Sequence, residues 1–232
     1  MPSTTHWIVF GDLHNEIQNL QEIMDLDEAD GIIVTGDLTF MGGAQDAQKV
    51  LETIEALNPK VYAQIGNMDK GEVTDLLKKK ECNLHGEAQK IHPEITLIGV
   101  GGSTPTPFNT PSEFSEEKIA ALLEEALAKA KDPKNLVLVS HNPPIDTACD
   151  RIENGAHVGS RAVREFIERV QPAICLCGHI HESKGIDMIG KTIVVNPGPL
   201  NSGGYAVLAL CDGAVRAGLC DINEGCTLHC GI

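Results

Sequence analysis

Aromatic side chains are scarce in this 232-residue chain, where five Phe, two Tyr and one Trp make up 3% of the residues. The core must therefore be built from aliphatic side chains, and a surface that stacks successive bases on aromatic platforms is not expected. Basic residues are scarce too, with 18 Lys and Arg against 33 Asp and Glu and a formal net charge of -15. Such a surface repels phosphate backbones and anionic lipids, which excludes a nucleic-acid polymer as an expected partner. No apolar run approaches the roughly 18 to 20 residues of a membrane span, and no basic stretch leads into an apolar one at the N-terminus. A cytoplasmic protein without a membrane partner is expected. Paired CxxC motifs at zinc-ribbon spacing are also missing. Of the eight cysteines, Cys175 and Cys177 in ICLC read as small buried hydrophobes. Cys211, Cys220, Cys226 and Cys230 read as incidental thiols, ahead of a small metal site at Cys226, His229 and Cys230.

What is present is enough apolar material, 42% of residues, for one large α/β domain over residues 1–232. Apolar runs alternate with helical patterns. HWIVF leads to a helix expected over Asn15 to Asp27, GIIVT to one over Ala44 to Leu57, and KVYAQI to one over Gly71 to Lys80, which predicts parallel βαβ units. ITLIGVGG is a further strand. The Pro-, Ser- and Thr-rich STPTPFNTPSEF after it reads as a plain connection in preference to a substrate-facing lid. The helical EEKIAALLEEALAKAK, the strand NLVLV, the long crossing NPPIDTACDRIENGAHVGS and the helix RAVREFIERV follow. PAICLCG, KGIDMIGKTIVVN, GYAVLAL and AVRAGLC are expected to complete a second, mixed or antiparallel sheet packed on the first.

Five of the apolar runs end in a polar residue able to bind a metal: WIVFGDLH, IIVTGDLT, VYAQIGNMD, LVLVSHNPP and ICLCGHIHES. They supply Asp12, His14, Asp37, Asn67, His141, His179 and His181. A buried strand that stops at such a residue presents it at the carboxyl edge of a sheet, where ligands of α/β proteins collect. Gly11, Gly36, Gly66 and Gly178 would let the backbone turn or approach an ion closely. Carboxylates, imidazoles and one amide oxygen suit manganese, iron, zinc or nickel better than an all-oxygen calcium site or an all-thiolate zinc site. Two such ions side by side act on phosphate esters. Taken singly the motifs are weak: a GD pair often caps a helix, and a lone His is often a satisfied core residue. His179 and His181, at i and i+2 in extended chain, would point the same way.

The ordered set GDxH, GDxx, GNxD, SHxPP and GHxH resembles the calcineurin-like metallophosphoesterase superfamily, from about Phe10 to Pro199. That resemblance implies two mixed sheets face to face, flanked by helices on both outer faces. It implies that Asp12, His14 and His181 hold one divalent ion and Asn67, His141 and His179 another, with Asp37 and a hydroxide bridging them. Manganese is the first expectation, with iron, zinc and nickel as alternatives. The chain departs from many members in one respect: the residue after Asn67, where they carry a His paired to the following acid, is Met68. Methionine cannot protonate a leaving alkoxide, a service worth about 10²- to 10⁴-fold. A phosphodiester of a small molecule or nucleotide is therefore the expected substrate, with a phosphomonoester or a nuclease substrate less favoured. The alternative from another class is a scaffold that kept the fold and lost the chemistry. His157, in the long loop after His141, is the candidate replacement acid and substrate contact, beside Arg161 and Asn67. Asp69 reads as a cap for the helix near Gly71, and Met68 as packing beneath the site.

Overall fold

Short runs of β-branched and aliphatic residues form twelve strands among residues 5–229, which a computed structural model describes. β1 (His6–Phe10), β2 (Gly31–Val34) and β3 (Val61–Ala63) are parallel, and β10 (Gly204–Cys211), β11 (Ala214–Asp221) and β12 (Gly225–His229) run antiparallel beside them. The first sheet has the order β12-β11-β10-β1-β2-β3. β4 (Ala88–His92), β5 (Ile95–Val100), β6 (Asn135–Ser140), β7 (Ile174–Leu176), β8 (Gly185–Ile189) and β9 (Thr192–Asn196) make the second, in the order β4-β5-β6-β7-β9-β8.

The period-two alternation of strand side chains sets the layers. On β1, Trp7 and Val9 face the second sheet, where they pack with Leu97, Val139 and Leu176. Ile8 and Phe10 face outward onto Leu51 and Ile54 of α1 (Ala44–Leu57) and Val73 and Leu77 of α2 (Glu72–Lys79). The outer face of the second sheet is covered in the same way by α3 (Glu116–Lys129) and α4 (Arg161–Val170), through Ile119, Leu123, Val163 and Ile167. Each such side chain stabilises the fold by roughly 1.5–3 kcal/mol relative to exposure. The result is the helix–sheet–sheet–helix sandwich expected from the resemblance. No helix among the described residues is long and apolar enough to cross a membrane.

Several expectations are corrected. The closing strands do not all join the second sheet: GYAVLAL pairs antiparallel with β1, Ile8 opposite Val207, and β11 and β12 follow it at that edge. The chain crosses between sheets at Pro197–Pro199, where Leu200 N–H reaches the carbonyl of Gly11. β4, within EAQKIH, is a strand that the sequence pattern does not announce. The helix expected over Asn15 to Asp27 is replaced by turns and a short 3₁₀ segment, Gln18–Glu22. Its buried Leu20, Ile23, Leu26 and Ala29 recur every third residue, which fits three residues per turn better than 3.6. Cys220 and Cys226 are not incidental thiols, because the β11–β12 register sets them opposite each other and they form a disulfide, with Cα atoms 4.0 Å apart. Cys226 is thereby removed as a metal ligand. Cys230 lies outside the described residues, whereas Cys175 and Cys177 are buried free thiols as expected.

A half-buried imidazole makes stability depend on pH. The Nδ1 of His85 accepts the Gly101 N–H at 2.9 Å, and the ring lies 5.5 Å from that of Phe114. Burial, helped by Lys78 and Lys118, lowers its pKa from 6.5 to about 4. Between these values the unfolded chain takes a proton that the folded one refuses. Stability contributed by neutral His85 is thus lost as pH falls from 6.5 to 4, at up to about 1.4 kcal/mol per pH unit. Urea unfolding of His85→Gln across this range should show a shallower slope than the parent chain; equal slopes would refute the assignment.

Candidate metal centre

The strand-end motifs converge at one rim of the sandwich. Asp12 and His14 follow β1, Asp37 follows β2 and Asn67 follows β3, while His141 follows β6 and His179 and His181 follow β7. Asp12, His14, Asp37 and His179 have left-handed backbone, with φ of 51°, 47°, 50° and 67°. Each such residue that is not Gly costs on the order of 1–3 kcal/mol and persists only where its surroundings impose it. The imposing contacts are present. Asp12 N–H donates to the Gly36 carbonyl at 3.0 Å, and Leu13 and His14 N–H groups donate to the Asp37 carbonyl at 2.8 and 3.0 Å. His179 N–H donates to both carboxylate oxygens of Asp12, each at 3.1 Å.

The motif glycines act mainly through the room they leave for these side chains. A Cβ on Gly66 would stand 2.0 Å from Asp37 Oδ1 and 2.3 Å from its backbone nitrogen. A Cβ on Gly36, which also has φ of 132°, would stand 2.5 Å from His141 Nδ1.

Two groups of donors result. Asp12, His14 and His181 form one and Asp37, His141 and His179 the other, the donor atoms of each lying within 4.8 Å of one another. Asp37 Oδ2 is 3.4 Å from His141 Nε2 and 3.7 Å from His14 Nε2, so one carboxylate reaches both groups. Asn67 Oδ1 lies 3.0 Å from His141 Nε2. The seven residues named from sequence are therefore brought together. The expectation that His179 and His181 point the same way is corrected: the left-handed turn at His179 breaks the extended chain, and the two rings go to different groups.

The electrostatics bind the cluster together. Burial opposes the charge on His141, but the Asp37 and Asp12 carboxylates outweigh it and raise its pKa to about 9. Burial and the charge of His141 lower His179 to about 4. Asp12 is buried, which would raise its pKa, yet its hydrogen bond to His181 and the surrounding imidazoles hold it well below the carboxylate range. The ring nitrogens of His14 and His181 approach to 3.3 Å. Two imidazole nitrogens aimed at one point beside a buried carboxylate fit a divalent cation, and the mixed O and N donors fit a transition metal.

Asp69 does not cap α2, whose first turn follows Gly71 without a side-chain cap. It is fully buried and accepts Leu38 N–H (3.1 Å) and Gly66 N–H (2.9 Å) on one oxygen, Thr39 N–H (2.8 Å) and the Thr39 hydroxyl (2.7 Å) on the other. Burial and nearby Asp37 push its pKa up to about 7, while these donors favour the anion. Met68 is half-buried, and its N–H donates to Asp37 Oδ1 at 2.7 Å.

STPTPFNTPSEF is more than a connection, since Asn67 Nδ2 donates to Thr110 Oγ1 at 3.0 Å. Neither Thr110 nor Asp69's bracing role was found from sequence; the Thr sits in a loop with no periodicity to mark it. His157 and Arg161 do not join the cluster. His157 Nδ1 pairs with the buried Asp150 at 2.6 Å. Arg161 begins α4, its N–H bound to Glu116 of α3 at 2.8 Å.

A family model described as Metallophosphoesterase, calcineurin superfamily, matches residues 48–219. The chain belongs to that family. It is a hydrolase of phosphate esters, of a family that uses divalent metals. Among its relatives, an uncharacterized protein of Methanocaldococcus jannaschii is 41% identical over 194 residues, covering 81% of this chain and 85% of that one. A protein of Arcobacter nitrofigilis named Probable glycerophosphodiester phosphodiesterase is 27% identical, covering 71% of this chain and 59% of that one. One of Rhodopseudomonas palustris named Probable cyclic nucleotide phosphodiesterase is 25% identical, covering 65% and 56%. The chain thus spans just over half the length of the two relatives named as phosphodiesterases. Its fold is similar to that of the protein TT1561 of Thermus thermophilus, with a TM-score of 0.71, 18% identity and coverage of 95% and 100%. It is also similar to a dimetal phosphatase from Danio rerio, with a TM-score of 0.62, 12% identity and 96% of both chains covered.

Proposed function

We propose that this protein is a phosphodiesterase acting on a small-molecule or nucleotide diester at a dinuclear centre. Asp12, His14 and His181 would hold one divalent ion, Asn67, His141 and His179 the other, and Asp37 both. Manganese is the first candidate on the donor set, ahead of iron, zinc or nickel. Such ions supply positive charge at phosphorus and make water a nucleophile near neutral pH. The protein's part is to fix the donors, and the hydrogen bonds behind Asp12, Asp37 and Asn67 do so.

Met68 carries the choice of a diester. Its thioether donates no proton to a leaving oxygen at the position next to Asn67, and a diester with a moderately acidic alcohol tolerates that lack better than an alkyl monoester. Phe40, 62% exposed with its ring 6.1 Å from that of His14, offers an apolar wall for an ester arm. The phosphodiesterase names of two relatives agree with this choice. His157 is the proton donor we assign for poorer leaving groups, oriented by Asp150. The neighbouring Arg151 carbonyl accepts the Ser183 hydroxyl, which ties this loop to the turn that begins at His181.

Hydrolysis of an aryl phosphodiester and an aryl phosphomonoester with added manganese tests the reading. The diester should be favoured by about tenfold or more in kcat/KM. His157→Gln should slow an alkyl diester by about 10²-fold while sparing the aryl one. Preference for the monoester would overturn the argument from Met68, and no metal-dependent turnover of either would remove the assignment.

A further inference from the structure

The two ends of the Asn67 amide are nearly equal in shape and opposite in chemistry: Oδ1 can bind a cation, and Nδ2 cannot. Packing alone does not choose between them. We propose that Thr110 and Glu113 are positioning residues that fix the Asn67 amide with its oxygen toward the metal cleft, by dictating the direction of a single hydroxyl proton.

Glu113 Oε1 accepts three hydrogen bonds, from the Thr106 hydroxyl (2.6 Å), Thr110 N–H (2.8 Å) and the Thr110 hydroxyl (2.7 Å). A carboxylate gathering three donors stays ionised, and its pKa is lowered by them. The Thr110 hydroxyl has one proton, and it is committed to Glu113. Towards Asn67 the hydroxyl therefore presents only lone pairs, and it accepts from Nδ2 at 3.0 Å. An amide turned end for end would set carbonyl oxygen against hydroxyl oxygen in a buried place, an unsatisfied contact costing about 1–3 kcal/mol. The oxygen is left facing His141 Nε2 at 3.0 Å. A carboxylate on a surface loop thus sets the polarity of a side chain in the centre.

The backbone around Asn67 is held separately. Ser112 N–H donates to the Asn67 carbonyl at 3.0 Å, and the Ser112 hydroxyl donates to the Asp69 carbonyl at 2.5 Å. Changing Thr110 therefore releases the amide without releasing the loop that carries it.

The inference rests on Asn67 being a ligand, and its test separates the two claims. Manganese is titrated calorimetrically into the full-length, metal-stripped protein, where two binding events are expected. Asn67→Ala should remove one of them. Thr110→Val should weaken that same event 10- to 100-fold, the usual effect of losing a partner behind a ligand, and leave the other within about twofold. Thr110→Ser, which keeps the hydroxyl, should restore it. Glu113→Gln should give an intermediate loss, because its amide can donate to Thr110 and free the hydroxyl proton to turn toward Asn67.

If Asn67→Ala leaves both events intact, the ligand reading fails and the positioning claim with it. Should Asn67→Ala abolish one event while Thr110→Val leaves both unchanged, only the positioning claim fails. Equal weakening of both events in Thr110→Val, with a lower melting temperature for the metal-free protein and no rescue by Ser, would mark a merely structural role and overturn the proposal.

Discussion

Asp37→Asn should lower metal-dependent diester hydrolysis by about 10³-fold or more while the chain remains folded. Its Oδ2 lies within 3.7 Å of an imidazole nitrogen in each group, that of His14 and that of His141. Its Oδ1 is already committed to the Met68 N–H at 2.7 Å. In the Asn variant the carbonyl oxygen keeps that bond to Met68, and an NH₂ group then faces the point where cations would be shared. A donor in that place repels a cation and brings no negative charge. Paired ions contribute several kcal/mol to the transition state, and each 1.36 kcal/mol is a factor of ten. Steady-state kinetics beside circular dichroism check the result. Turnover within tenfold of the parent chain, with both ions still bound, would show that Asp37 does not bridge.

Asp69→Asn is expected to act on the fold, at a residue buried completely and matched in shape by its replacement. The Asp69 carboxylate accepts on both oxygens, two donors to each. An Asn can satisfy only one side. Its NH₂ must oppose either the N–H groups of Leu38 and Gly66 or the N–H and hydroxyl of Thr39. Stranding two buried donors costs about 1–3 kcal/mol each, so unfolding in urea at pH 8, where Asp69 is ionised, should show a loss of about 2–5 kcal/mol. That is a large share of the 5–15 kcal/mol typical of a folded domain. The strands leading to Asp37 and Asn67 are joined through this carboxylate, so a weakened metal site should accompany the lost stability. A change below about 0.5 kcal/mol would mean that the donors find other partners.

These two residues also mark how far the sequence could be read. Asp37 was legible because its signal is local: a buried strand, a Gly and an Asp, repeated with variations four more times along the chain. Each motif states its own strand end, and the parallel βαβ pattern brings such ends to one rim. Asp69 was legible as a polar residue but not as a brace, since its partners Leu38 and Thr39 lie some thirty residues away and nothing near Asp69 announces them. The same limit applies to β10, which pairs with β1 at the far end of the chain. GYAVLAL is apolar on both faces, so its pattern says that it is covered twice and not by which sheet. Pairing of Cys220 with Cys226 depends on the register of β11 against β12, which spacing alone leaves open. Thr110 lies in a segment whose Pro, Ser and Thr content marks a loop, and loop composition does not disclose what the loop leans on. In the stretch after His14 the apolar residues do recur, but three apart, the spacing of a 3₁₀ turn, and the expected α-helix does not form.

Each donor group draws on both sheets. Asp12 and His14 hang from the first and His181 from the second; Asp37 and Asn67 hang from the first, His141 and His179 from the second. The rim is therefore a clasp between the halves of the sandwich as well as a place for chemistry. Parting the sheets there would scatter both sets of donors in one motion, and whatever binds them holds the sheets shut by mass action. Asp12, His14, Asp37 and His179, with their left-handed backbone, sit at this same seam, so strained backbone lies where closure depends on what it holds.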